Sequence, residues 1–125
     1  MSGDMKLNYI ELPAADFDRV QQFYQTVFNW TFEDYGDGYR AFSDGKLDGG
    51  FYKSELVSSA GNGAALVIFY AIDLENAEHA VIEAGGTIVA PIFSFPGGRR
   101  FHFADPHGNE LAVWSDTVAE STRHA

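Results

Sequence analysis

The stretch FADPHGNELAVWS, Phe103 to Ser115, decides how this chain is read. Asp105, Pro106 and Gly108 stand where a type I turn wants Asp first, Pro second and Gly fourth. ELAVWS then reads as a strand. Upstream, TIVAPIF and RRFHFA are two more strand-like runs. Before them, Asp73 is placed as the N-cap of a helix, LENAEHAVIEAGG, with Leu74, Ala77, Val81 and Ile82 on one face and Gly85-Gly86 closing it. LVIFYAI, Leu66 to Ile72, is an apolar strand. The second half therefore has the order βαβββ.

The first half repeats that order. A strand at about residues 6–12 alternates Leu7, Tyr9 and Glu11 with Asn8, Ile10 and Leu12, and Pro13 is expected to end it. Asp16 is the next N-cap. Phe17, Val20, Phe23, Tyr24, Val27 and Phe28 recur at helical spacing, and Asn29 is the expected stop. Trp30–Asp34, Tyr39–Ser43 and Gly49–Lys53 are three short strands between Gly- and Asp-rich turns. Self-similarity of this kind points to duplication. One domain is expected over 1–125, with a first module at about 6–53, a linker at about 54–65, a second module at about 66–116 and a polar tail at 117–125.

Composition narrows the function. The 125 residues are 46% hydrophobic with eleven Phe, which excludes disorder and allows a core without staples. There is no Cys, so a thiolate nucleophile, a disulfide scaffold and a Cys-rich zinc site are excluded. The net charge is −10, and Arg99-Arg100 is the only basic pair, which argues against nucleic acid. Acidity serves solubility and would also suit a cationic ligand. The N-terminal residues carry no signal-peptide pattern, and no apolar run approaches the roughly 20 residues of a membrane span. The expectation is a soluble, cytoplasmic protein with no membrane partner. Phosphate-loop, zinc-protease and nucleophile-elbow motifs are absent.

The strand, Asp16, Phe23-Tyr24 and VFNW at one end, with ADPHGN and its strand at the other, resemble the vicinal oxygen chelate superfamily. That group includes glyoxalase I, bleomycin resistance proteins and extradiol dioxygenases; the subgroup suggested is that of predicted enzymes related to lactoylglutathione lyase. The resemblance runs from about Leu7 to Ser115. It implies an α+β fold in which two tandem βαβββ modules form a curved, cup-like mixed β-sheet with helices on the convex face. It also implies a homodimer. Metal-binding members place ligands on the first and last strands of each module. The matching positions here are Tyr9, Leu66, Ala112 and about Phe51, none a good ligand for a divalent ion. No metal and no cofactor are expected.

A displaced site could draw on Glu11, Glu110 and His102. Glu110 reads more readily as a solvated residue after a turn and Glu11 as a rim residue or ion pair, while His102 reads equally as a packed strand histidine. If Tyr9 and Leu66 mark the inner face, alternation adds Glu11, Ile68, Tyr70 and Trp114 to it, with Phe51, Arg100 and His102 as further candidates. Such a lining suits a flat or partly apolar organic molecule, with Arg100 able to hold a carboxylate or phosphate. Trp114 could instead serve a dimer contact. Two functions remain open. One is a metal-independent small-molecule binder of the glyoxalase/bleomycin-resistance kind. The other is a lactoylglutathione-lyase-related lyase or isomerase, using Glu11, Tyr9 or His102 as acid and base or a displaced divalent metal.

Overall fold

In a computed structural model of the chain, the described residues are 4–117. They form two compact units, one up to Leu56 and one from Val57 onward. Most of the expected polar tail lies outside the described residues.

The first unit runs β1 (Tyr9–Ala14), α1 (Phe17–Phe28), β2 (Thr31–Asp34), β3 (Tyr39–Ser43) and β4 (Asp48–Lys53). Its sheet has the order β1-β4-β3-β2, with β1 parallel to β4 and the other pairs antiparallel. Asp16 caps α1 by accepting from the Arg19 amide, and Asn29 ends it in the left-handed conformation at φ 59°. The strand expected to stop at Pro13 continues through it to Ala14. β1 is an edge strand, where a proline's missing N–H costs least. α1 covers the face carrying Leu12, Phe42 and Phe51. There Tyr24 stacks on Trp30 with centroids 4.4 Å apart, and Trp30 stacks on Phe42 at 4.2 Å. Such pairs add about 0.5–1.5 kcal/mol each beyond simple burial.

The second unit runs β5 (Val67–Tyr70), α2 (Leu74–Glu83), β6 (Thr87–Phe95), β7 (Gly98–Ala104) and β8 (Glu110–Ser115). Its order, β5-β8-β7-β6, is that of the first. Asp73 caps α2 through the Asn76 amide. α2 packs on β6, β7 and β8, over the face that carries the fully buried Phe101, Phe103, Leu111 and Val113. β6 is longer than expected and crosses Pro91 within the second of two register shifts, again on an edge.

The two βαβββ modules are therefore present, but the single curved, cup-like sheet with helices on a convex face is not. The strands form two separate four-stranded sheets. Each is open, ending in different edge strands: β1 and β2 in one, β5 and β6 in the other. The sequence pattern supports strands and their order, while sheet closure depends on pairings between modules that no local pattern encodes.

The modules also share a fastening. Arg40, second in β3, reaches Asp18 in the first turn of α1 (Nη1–Oδ1 2.7 Å) and Gln21 (2.9 Å). Arg99, second in β7, grips Glu75 in the first turn of α2 at 2.5 and 3.2 Å. In both arginines Nε is buried without a hydrogen-bond partner among the described residues.

The DPHGN turn does more than reverse the chain. Asp105 Oδ1 accepts from the amides of His107, Gly108 and Asn109 at 2.9–3.0 Å, and Gly108 takes φ 108°. Buried Asn109 accepts from the Ser58 amide, and the Glu110 amide donates to Ser58 O. The segment expected as a linker is thus pinned to the turn by its middle, where a single 3-10 turn forms at Ala60–Asn62.

Candidate functional site

Strand alternation leaves each sheet one face away from its own helix. In the first module that face carries Tyr9, Glu11, Tyr39, Ala41, Asp48 and Gly50. It opens a hollow of about 630 Å³, lined among others by Tyr9, Tyr35, Tyr39, Phe32, Glu33 and Asp48. Gly50 makes room for Tyr39: a Cβ there would overlap the phenol Oη and Cζ. With that space Tyr39 reaches across β4 and donates to Glu11 Oε2 at 2.9 Å. A phenol has one hydrogen, so the 2.6 Å contact between the two hydroxyls is a donation from Tyr9 to Tyr39. The chain Tyr9→Tyr39→Glu11 results. Burial first, then the bonds to Tyr9 and Glu11, pushes the Tyr39 pKa well above that of a free phenol, so it stays a donor. Tyr35 is also raised, chiefly by the Glu33 charge beside it.

In the second module the corresponding face carries Ile68, Tyr70, Arg100, His102, Ala112 and Trp114 in adjoining register. Arg100 donates to His102 Nε2 from Nε (3.1 Å) and Nη2 (2.8 Å). Nε2 is therefore the acceptor, and the neutral ring carries its proton on Nδ1, directed at Glu110 Oε2 2.9 Å away. Glu110 Oε1 accepts from the Ala60 amide. The His102 hydrogen bond, ahead of the opposing effect of burial, holds the Glu110 carboxyl below its usual pKa. The Arg100 guanidinium lies 5.7 Å from the Phe93 ring and 5.8 Å from that of Phe95. Tyr70 meets Trp114 edge-on at 5.1 Å and donates to Asp116 at 2.5 Å; that bond lifts the Tyr70 pKa.

The sequence candidates divide accordingly. Tyr9 and Glu11 come together in the first module, joined by Tyr39, which sequence reasoning did not single out. Its only signal was Gly50, opposite Ala41 and diagonal to Tyr39 across the β3–β4 ladder. Ile68, Tyr70, Arg100, His102, Ala112 and Trp114 share one face of the second module, and Leu66 stands one residue before β5. Phe51 is elsewhere: it is fully buried under α1, against Tyr24 and Phe42. The register puts Gly50, not Phe51, on the face of Glu11.

The residues present do not fit a divalent ion. Tyr9, Leu66 and Ala112 offer one neutral phenol, and Phe51 is in the core. Both ring nitrogens of His102 are engaged, by Arg100 and Glu110, while Glu11 is held by Tyr39 in the other module. Among the described residues no group of three or more His, Cys, Asp or Glu side chains could hold a metal. Likewise no helix among them is long and apolar enough to cross a membrane.

Residues 6–113 match the family model described as "Glyoxalase/Bleomycin resistance protein/Dioxygenase superfamily". No curated protein matches the sequence significantly. Solved structures share the fold. A glyoxalase/bleomycin resistance protein/dioxygenase family enzyme from Burkholderia phytofirmans superposes with TM-score 0.76 at 18% identity, covering 90% of this chain and 99% of that one. A variant of the fosfomycin resistance protein FosX from Listeria monocytogenes, solved with Mn(II) and a dihydroxypropylphosphonic acid, gives 0.74 at 16%, covering 91% and 92%. TioX from Micromonospora gives 0.69 at 16%, covering 90% and 99%.

Proposed function

Because the chain belongs to the glyoxalase/bleomycin resistance protein/dioxygenase superfamily, we propose that it binds a small, partly aromatic or apolar organic molecule without the superfamily's usual metal site. The observation that carries this reading is the pair of sheet faces away from the helices. On each, a hydrogen-bonded polar chain sits among aromatic rings, the arrangement that selective organic-ligand sites use. In the first module Tyr9 and the hollow beside it supply the contacts. In the second they come from Leu66, Ile68, Tyr70, Arg100, His102, Ala112 and Trp114. A homodimer in the cytoplasm is part of the proposal.

The test is a thermal-shift screen of organic ligands followed by proton–nitrogen NMR mapping. A true ligand raises the melting temperature by the free energy RT ln(1 + [L]/Kd) and moves resonances on these faces. Hits that all map to the helix-covered faces would refute the proposal. Light scattering of the same sample reads the dimer.

The Tyr9→Tyr39→Glu11 chain favours a second reading, a metal-free acid–base lyase or isomerase related to lactoylglutathione lyase. Tyr9 would take a substrate proton while passing its own to Tyr39, which passes its proton to Glu11. His102 is the acid–base candidate of the other face. Under this reading Glu11→Gln abolishes turnover of a found substrate without weakening its binding. Unchanged turnover refutes it.

A further inference from the structure

Arg100 differs from the other sheet arginines. Arg40 and Arg99 are each paired with a carboxylate. Arg100 sends both of its hydrogen bonds to one neutral acceptor, His102 Nε2. Its Nη1 and the second hydrogen of Nη2 have no partner among the described residues. These groups form the end edge of the guanidinium, whose spacing matches the two oxygens of a carboxylate.

The fork is held in place. Glu110 fixes the His102 ring, the Ala60 amide fixes Glu110, and Phe93 and Phe95 flank the guanidinium plane. Trp114 stands opposite Arg100 in the ladder, with Tyr70 edge-on to it and half-exposed. A pre-positioned cationic fork thus lies beside broad apolar rings. Holding the fork through a neutral imidazole leaves its charge available for a guest, which a direct carboxylate partner would not.

We infer that Arg100 anchors the carboxylate of a planar aromatic acid whose ring lies against Trp114 and Tyr70. This rests on the reading of the second module's face as a ligand surface. The chain's net charge of −10 opposes the approach of any anion, but at physiological salt that repulsion is screened beyond about 8 Å. The contact with the fork is not screened in this way, because the guest displaces the intervening water.

The experiment titrates the full chain with benzoate, phenylphosphonate and the neutral isostere benzamide, following the Arg100 Nε–H and Trp114 indole N–H signals by NMR. A charge-assisted pair predicts that benzoate binds about tenfold or more tightly than benzamide. Arg100→Gln removes that advantage, and Arg100→Lys, which keeps the charge but loses the fork, loses most of it. Equal binding of benzamide, or a preference surviving in Arg100→Gln, overturns the inference. Phenylphosphonate binding more tightly than benzoate overturns the carboxylate assignment in favour of a phosphonate or phosphate. Should all three leave both signals unmoved while a screening hit moves the Tyr9 and Tyr39 resonances, this inference falls and the broader reading stands. Should no ligand move either face, both fall.

Discussion

Two neighbouring glycines, Gly49 and Gly50, should respond very differently to the same added methyl group. A Cβ at Gly50 would overlap the far end of Tyr39, its Oη, Cζ and Cε2. That ring can swing outward, so relief is easy and the cost is what the swing forfeits. The forfeit is two hydrogen bonds, Tyr9 to Tyr39 and Tyr39 to Glu11. At about 0.5–1.5 kcal/mol each, Gly50→Ala should destabilise by about 1–3 kcal/mol. A Cβ at Gly49 would overlap the Ile10 carbonyl and the buried Phe42 ring. The carbonyl is main chain of the adjoining strand and Phe42 is packed on Trp30, so neither can move aside. Gly49→Ala should therefore cost about 3 kcal/mol or more, at or beyond the upper end for overpacking. A double-mutant cycle separates the two mechanisms. In a Tyr39→Ala background the cost of Gly50→Ala should vanish or reverse, since Ala outperforms Gly in a strand by roughly 0.5–1 kcal/mol. The cost of Gly49→Ala should persist there. Urea unfolding of the three single variants, the two doubles and the parent measures all of this. Gly49→Ala proving no worse than Gly50→Ala, or Tyr39→Ala failing to absorb the Gly50→Ala cost, would refute the reasoning.

Asp105→Ala removes the acceptor of three turn amides, including the one on buried Asn109, and should cost about 3 kcal/mol by denaturant unfolding, while Glu110→Ala should cost less. Asp16→Ala and Asp73→Ala each delete a helix N-cap and should cost about 1 kcal/mol, additively because the caps serve separate helices. Glu110 has a folded pKa below its ordinary 4.5, so its contribution is complete above that pH and is lost as the pH falls through the lowered folded value. Acid unfolding curves of the parent and Glu110→Gln should accordingly converge below pH 4.5 and stay apart above it.

Most of the fold was legible because its signals are local. Asp16 and Asp73 each precede an apolar helical pattern, Asn29 stands where a helix must stop, and the Asp105 turn has its residues in the required order. Pro13 misled because its effect depends on whether its strand is at an edge, and edge position is set by strand order, not by neighbours in sequence. The curved sheet misled for a related reason, since closure is a property of pairing between distant strands. The candidate site was legible in part. Alternation put Ile68, Tyr70 and Trp114 on one face, and the register adds the further candidates Arg100 and His102 to it. It missed Tyr39, whose role arises from the space above Gly50, and Phe51, named only approximately from the resemblance, lies one residue off the face of Glu11, which in a strand means the opposite face.

The arginine fastenings carry a historical implication. Arg40 and Arg99 occupy the same place in the same strand of their modules, and each grips an acid in the first helical turn. Even the idle buried Nε recurs. A lone ancestral half, before any copy of it existed, would already have owned the clasp that seats its helix. Doubling such a unit would give a second self-sufficient half whose strand face away from the helix is free to diverge; here one face carries the Tyr9–Tyr39–Glu11 chain and the other an Arg100–His102–Glu110 chain.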